Sequence, residues 1–471
     1  MLGGAAVAGS VFFFLDARRD GRLARFLRVE GIAGELYLRV ASASIHDAIV
    51  VGAGPAGATA ARRLAADGIR TLLLDRATFP RHKACGGAIT TRVLARFPYL
   101  REALKRIPTH WISKLVLQGP AGESAELRSS SPAVLTIRRV EFDALLVSLA
   151  REAGAELVEG ADIHDAREDA ERVRLQTRDG RTFDARMVIA ADGVHGVVAK
   201  RLGLLNGWPR EQLAIDLMEE TPDATLRATD RDALWVSYGF PAWWAGGPRG
   251  LSDGYAYVFP KQTHVNVGIG YLAHEYRAKY RGNSYRLQQG LIDRLTRDGV
   301  LEGTSSRRDF TPFLIPVGGP IRRSGTARTL VAGDAGGFVN GFSAEGIYYA
   351  MVSGDLAAAC VADAFATRRP AARSYRRRWS AEIGAELAES VVLQRLLFEQ
   401  SNRINALVAA AANGTPLVDA VTRWARGLET YGALRRQIVL RNPLVGILFG
   451  AVLLQQRVEA TRAAVFQSEH W

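Results

Sequence analysis

Two cysteines in 471 residues, Cys85 and Cys360, are too few for a disulfide framework, which points to a reducing, cytoplasmic setting. Long apolar runs are short at the start of the chain. Residues 2–15 are greasy, but they fall short of the roughly 20 residues that cross a bilayer, and no charged segment precedes them, so neither a transmembrane helix nor a signal peptide is expected. Five arginines, Arg18, Arg19, Arg22, Arg25 and Arg28, follow. That leaves two readings of residues 1–45: a weak membrane-surface anchor, or an extension upstream of a fold that starts near His46. Compact Lys/Arg blocks, nucleic-acid module signatures and metal-ligand spacings are also missing, so no nucleic-acid partner and no metal site are expected.

What is present is a large, basic, globular chain. Hydrophobic residues make up 48% and the net charge is +13, mostly from arginine. The length supports two or three domains with a large core. The charge suits anionic lipid or a phosphorylated substrate, with an ordinary solvated arginine surface as the plainer reading.

The most informative stretch is residues 47–76, DAIVVGAGPAGATAARRLAADGIRTLLLDR. An apolar strand turns through Gly52, Gly54 and Gly57 into an alanine-rich helix that Gly68 closes. A second apolar strand then ends on Asp75 and Arg76. Gly52 makes the tight turn, Gly54 lets a pyrophosphate reach the backbone, and Gly57 lets the helix press on the strand. The helix N-terminus offers unpaired N–H groups and a positive dipole end to phosphate. Asp75 stands where it can accept from an unphosphorylated ribose, as in FAD or NAD. This is a dinucleotide-binding βαβ unit.

Further along, residues 140–153 read as a helix behind Arg139, and a strand at 187–190 runs into Asp192-Gly193. From 201 to 305 the pattern changes to longer strands rich in aromatics, including Trp235, Tyr238, Phe240, Trp243 and Trp244, with period-2 alternation at 254–260 and 264–270 around a turn. These aromatics suit a core, and some suit the wall of an apolar cavity. An apolar strand at 329–332 ends in Gly333-Asp334, and a helix follows from Gly346 and Ile347. The remainder is helical, with greasy residues 444–454 that read as core, as a lid or as a membrane-surface helix. The expected fold is α/β: a Rossmann-type domain in two parts (46–200 and 306–370), an inserted antiparallel β domain (201–305) and a helical C-terminal region (371–471).

Four separated pieces resemble one family. The opening unit, the loop Pro80, Cys85, Gly86, Gly87, the Asp192-Gly193 turn and the Gly333-Asp334 segment are similar to FAD-dependent oxidoreductases of the geranylgeranyl reductase family, which share their fold with p-hydroxybenzoate hydroxylase. The family's substrate-side motif is present as Tyr255, Tyr257, Phe259, Pro260, Gly268 and Gly270. Four positions depart from the family pattern: Lys83 replaces Tyr, Ala88 replaces Gly, Tyr257 replaces Trp, and Gly196 replaces Ser. The resemblance implies an FAD-binding domain, with FAD held by Gly52, Gly54, Pro55, Ala56, Gly57, Asp75, Arg76, Gly86, Gly87, Arg139, Asp192, Gly333, Asp334, Gly346 and Ile347. It also implies an isoprenoid lipid substrate facing the tyrosine motif, and saturation of its isolated double bonds.

An isolated alkene has no carbonyl to polarise, so hydride delivery must be matched by a proton on the other carbon. The protein contributes mainly orientation in a dry slot. Cys85 is the candidate proton donor or alkene-positioning group; alternatively its loop only shapes the pocket. His82 and Lys83 suit a diphosphate or headgroup, or plain solvation, and Cys360 suits the core. No second nucleotide fingerprint is present, so NADPH would bind transiently as electron donor, with a ferredoxin-like protein equally open. Peripheral contact with the inner face of a membrane is compatible with the charge. Rival readings are a monooxygenase or halogenase on the same scaffold, and a non-catalytic basic membrane flavoprotein.

Overall fold

The computed structural model describes residues 12–14, 26–28, 45–238, 254–279, 283–398, 401–413 and 416–441. Phe240, Trp243, Trp244, residues 444–454 and most of the 1–45 extension lie outside the described residues.

Residues His46–Val51 form the central strand of a seven-stranded sheet, with Ala48, Ile49, Val50 and Val51 buried in succession. A continuous apolar run of this kind fits a parallel strand covered on both faces. It pairs in parallel with Thr71–Leu74 on one side and Thr182–Ala190 on the other. Glu156–Val158 and Thr329–Val331 extend the parallel set, and the hairpin Ile163–Glu168/Val173–Thr177 completes the sheet antiparallel. One face is covered by three helices, Pro55–Ala66, Arg139–Glu152 and Ile347–Thr367, which share one core. Ile347–Thr367 is long and apolar enough to cross a membrane by length and composition, yet here it packs on Pro55–Ala66. Close contact is possible because Gly354 is small: a Cβ there would overlap the Ala56 carbonyl.

The second sheet also has seven strands, in the order Phe310–Pro316, Leu213–Pro222, His264–Leu272, Gly254–Pro260, Ala233–Tyr238, Lys114–Gln118, Ser124–Arg128. It departs from the expected inserted antiparallel domain in two ways. Strands from 114–128 and from 310–316 join it, and Ala233–Tyr238 pairs in parallel with Lys114–Gln118. Alternation along one strand reports which face is buried but says nothing about the distant strand that supplies its hydrogen bonds.

The two faces of this sheet have different partners. Leu217, Val258, Val265, Val267, Ile269 and Trp235 pack with Leu291, Ile292 and Leu295 of the helix Ser284–Arg297. Tyr238, Tyr255, Tyr257 and Phe259 point the other way, toward the first domain and toward Leu397, Phe398, Ile404 and Val408. Those last four belong to the C-terminal helices Ala385–Phe398 and Ser401–Ala412, which are followed by Pro416–Ala425 and Tyr431–Arg441.

Candidate active site

The glycine turn divides its work among three residues. Gly52 has φ +95° and donates its N–H to the Leu74 carbonyl at 2.7 Å, and a Cβ on it would overlap the Ala191 carbonyl. A Cβ on Gly57 would overlap Gly52 itself. Gly54 is different. The nearest atom to a Cβ placed there is the tip of Arg81, 3.7 Å away, so the backbone at the head of Pro55–Ala66 is open. The helix begins with proline and has no side-chain cap among the described residues, leaving its first N–H groups available to an anion.

Arg81 stands over this opening. Its Nη2 is 3.0 Å from Asp143 Oδ2, while Nη1 is buried with no hydrogen-bond partner among the described residues. A buried guanidinium N–H without an acceptor is costly, and a pyrophosphate on the glycine turn would supply one. Sequence reasoning passed over Arg81. Its only signal is a place one residue after Pro80, which does not stand out in an arginine-rich chain.

Asp75 is buried, accepting from the Ala53 N–H at 2.7 Å and the Ala77 N–H at 2.8 Å. Each oxygen keeps lone-pair capacity for a ribose hydroxyl. Arg76 beside it is exposed at the rim.

The closing segment meets the opening one directly. Thr329–Val331 runs into Gly333 and Asp334 in a short 3-10 turn, and a Cβ on Gly333 would crowd the Ala56 side chain. Gly346 and Ile347 then start the long helix, with Gly346 lying near the Asp334 carboxylate. Asp192 accepts from the Val197 and Val198 N–H groups through Oδ2, at 2.7 and 3.0 Å, and its buried Oδ1 has no partner among the described residues. A Cβ on Gly196 would overlap this carboxylate, so the loss of the family's serine at 196 follows from the space that Asp192 occupies. Arg139 turns inward and grips Asp143 with both Nε and Nη2, at 2.6 and 2.8 Å.

The Cys85 loop lies between this region and the aromatic face. The Cys85 carbonyl accepts from Asn266 Nδ2 at 3.3 Å, and its thiol sits beside the Arg139 guanidinium. Gly86 rests against the rings of Phe259 and Tyr257, which are 4.5 Å apart centroid to centroid. Gly87, at φ +72°, presses on the Ile137 carbonyl. Gly268 lies under the Tyr257 ring, where a Cβ would overlap it, and Gly270 sits opposite Tyr255 in register. The Pro260 carbonyl accepts from Thr136 Oγ1 at 2.6 Å, tying the strand to the first domain.

Lys83 departs from the plain-solvation reading. Its ammonium sits 3.2 Å from the centre of the Phe313 ring rather than on the surface, while His82 is exposed. Burial, helped by Arg139, brings Lys83 down to about 8 against the opposing pull of Asp334, Cys85 and Asp143. Cys360 lies in the core of Ile347–Thr367.

Sequence reasoning also missed Asp216. It is buried in Leu213–Pro222 and accepts the Tyr257 phenol at 3.0 Å. Burial pushes its carboxyl up to about 6, opposed by the Tyr257 hydrogen bond and by Lys83. The signal was legible in principle: an acid at position 216, inside the apolar run LAIDLM. Over the aromatic face, Tyr238 stacks on Phe342 at 5.9 Å and Tyr255 donates to the Ser343 carbonyl at 2.7 Å. Phe342, the Ser343 carbonyl, Leu397, Phe398, Ile404 and Val408 thus form its cover.

Several known proteins are similar to this chain. Residues 46–242 match the family described as FAD binding domain. Menaquinone reductase of Mycobacterium tuberculosis is 29% identical over 66% of this chain and 75% of its own. The chloroplastic geranylgeranyl diphosphate reductase of Oryza sativa subsp. japonica is 28% identical over 97% of this chain and 96% of its own. A geranylgeranyl bacteriochlorophyll reductase-like protein from Thermoplasma acidophilum superposes with a TM-score of 0.67 at 21% identity, covering 85% of this chain and 97% of that one. The chain carries an FAD-binding domain and is similar to menaquinone and geranylgeranyl reductases. The flavoprotein shares its fold more widely: the flavin-dependent brominase Bmp2 matches with a TM-score of 0.63 at 17% identity, covering 85% of this chain and 100% of that one.

Proposed function

We propose that this flavoprotein saturates isolated carbon-carbon double bonds of an isoprenoid chain carried on a lipid, a quinone or a diphosphate. The observation that carries the reading is the contact between Gly86, beside Cys85, and the rings of Tyr257 and Phe259, which puts a thiol loop and an apolar aromatic wall at one junction between the two domains. Reduced FAD supplies the hydride when bound. The open backbone at Gly54, the unsatisfied Arg81 Nη1 and the helix N-terminus would hold its pyrophosphate, Asp75 would take a ribose hydroxyl, and Asp334 with the head of Ile347–Thr367 would hold the remainder. Tyr257, Phe259 and Tyr255 orient the prenyl chain in a water-poor slot, and Cys85 fixes the reacting alkene against the loop or donates a proton to it. The cover formed by Phe342, Leu397, Phe398, Ile404 and Val408 opens to admit the chain. NADPH or a ferredoxin-like protein provides electrons, and the basic surface attracts the protein to anionic membrane at the cytoplasmic face.

The test is anaerobic incubation of photoreduced holoprotein with a panel of prenyl lipids, prenyl quinones and prenyl diphosphates. The expected result is flavin reoxidation together with a mass gain of two hydrogens per reduced bond. Reoxidation only by oxygen, with a hydroxylated or halogenated product, would overturn the reading.

A further inference from the structure

Asp216 lies in Leu213–Pro222 and Tyr257 in Gly254–Pro260, with His264–Leu272 between them. Two strands apart, side chains on one face do not normally reach each other. Here they do because the middle strand presents glycine at both relevant positions. Gly270 pairs with Asp216 and Gly268 pairs with Tyr257, and the Tyr257 ring lies over the space that a Gly268 side chain would fill. The G-x-G spacing thus clears a corridor across the sheet, and the phenol crosses it to the carboxyl. The opposite edge of the Tyr257 ring borders Gly86, next to Cys85.

We propose that Asp216 and Tyr257 form a proton relay, with the phenol as donor to the substrate and the carboxyl as the reservoir behind it. This rests on the alkene-reductase reading above. When Asp216 is ionised it accepts the phenol proton and keeps it from the substrate. When Asp216 is protonated its own O–H turns toward the Tyr257 oxygen, and the phenol hydrogen is free to leave. In the reaction, hydride arriving from reduced FAD forms one C–H bond while the Tyr257 O–H breaks to form the C–H bond on the other alkene carbon. The phenolate oxygen takes the carboxyl proton, and Asp216, left ionised, is reprotonated from solvent.

The groups facing Asp216 bias this reservoir. Lys83 approaches from the loop, Tyr255 and Tyr257 from Gly254–Pro260, and Cys85 in turn faces the two tyrosines. Its flanking partners Gly270 and Phe313 do not titrate. Lys83 favours the ionised form and burial the neutral one, leaving Asp216 at about 6.

Asp216→Asn and Tyr257→Phe holoproteins test the relay. Asparagine is nearly isosteric, and phenylalanine keeps the ring over Gly268. Both variants are expected to retain FAD and its visible spectrum, and to lose about 100-fold or more of alkene turnover, the usual scale for a lost general acid. Wild-type turnover should fall as pH rises through about 6, and Tyr257→Phe should flatten that limb. A readout independent of turnover is infrared titration. A protonated-carboxyl band should disappear through about pH 6 in wild type, be absent from Asp216→Asn and shift in Tyr257→Phe. Variants that turn over prenyl substrate with the wild-type pH profile overturn the relay alone. A wild-type protein inert toward every prenyl chain overturns the functional reading and the relay's part in alkene reduction, and the infrared band still decides whether the two residues share a proton.

Discussion

Arg81 brings a buried, half-satisfied guanidinium to the open side of the glycine turn, which makes it the residue whose removal should be felt most directly by a bound dinucleotide. A hydrogen bond to a charged group contributes about 1.5–3 kcal/mol, so Arg81→Ala should weaken FAD binding about 10-fold or more while leaving the fold intact. Fluorescence titration of apoprotein with FAD measures this, and an unchanged affinity would return Arg81 to a purely structural partnership with Asp143. Cys85 poses a different question at the same scale. Cys85→Ser preserves size, the Asn266 contact to the backbone carbonyl and the glycine-flanked turn, so FAD content should hold while turnover of prenyl substrate drops severalfold or more. Turnover at the wild-type rate would reduce the thiol to scaffolding. The two residues differ in how they could be found. Cys85 is flanked by glycines in a recognisable loop. Arg81 acquires its meaning only from lying 3.7 Å from an atom that Gly54 does not have.

Among elements, the pair Pro55–Ala66 and Ile347–Thr367 decides whether the first and last parts of the flavin domain meet. They are separated in sequence by the whole of the second sheet and most of the first, and are brought to van der Waals contact where Gly354 meets the Ala56 carbonyl. Gly354→Ala inserts a methyl group into backbone. Overpacking of this kind costs about 1–3 kcal/mol, and here the strain falls on the residue next to the phosphate turn. The variant should unfold at lower urea and purify with less flavin. Full flavin content at unchanged stability would show that the helices can slide apart without disturbing the turn. Each helix was legible alone, from its alanine-rich pattern and its glycine boundary. The mutual contact was not, because small residues along a helix indicate that something approaches closely without indicating what.

The whole molecule is held as one body by charges as well as by apolar packing. Arg92, in the first domain, bonds Glu386 at 2.9 Å, Glu345 at 3.3 Å and the Tyr349 hydroxyl at 2.9 Å, and lies 4.1 Å from the centre of the Trp424 ring. One buried guanidinium thus joins the glycine-rich segment before Ile347–Thr367 to the C-terminal helices. Glu386→Ala leaves that charge short of its nearest acceptor, and breaking a buried pair from one side costs about 3–5 kcal/mol. Expected outcomes are a lower denaturation midpoint and early protease cleavage in the C-terminal helices; a midpoint unchanged by the substitution would show that Glu345 and Tyr349 suffice. The same helices cover the aromatic face, so their attachment bears on access to the site as well as on stability.

By itself the sequence determined what depends on near neighbours. The strand, turn and helix of residues 47–76 follow from glycine spacing and apolar periodicity, and the alternation at 254–260 separates the aromatic face from the core face. Those features repeat within a few residues because backbone geometry does. Tertiary structure alone decided which separated pieces share a site: the guanidinium of Arg81 over Gly54, the grip of Arg139 on Asp143, the strands at 114–128 and 310–316 that complete the second sheet, and the reach of Tyr257 across two glycines to Asp216. In each case the interaction depends on sheet register and on which faces are buried together, and these are properties of the assembled core that no local window contains.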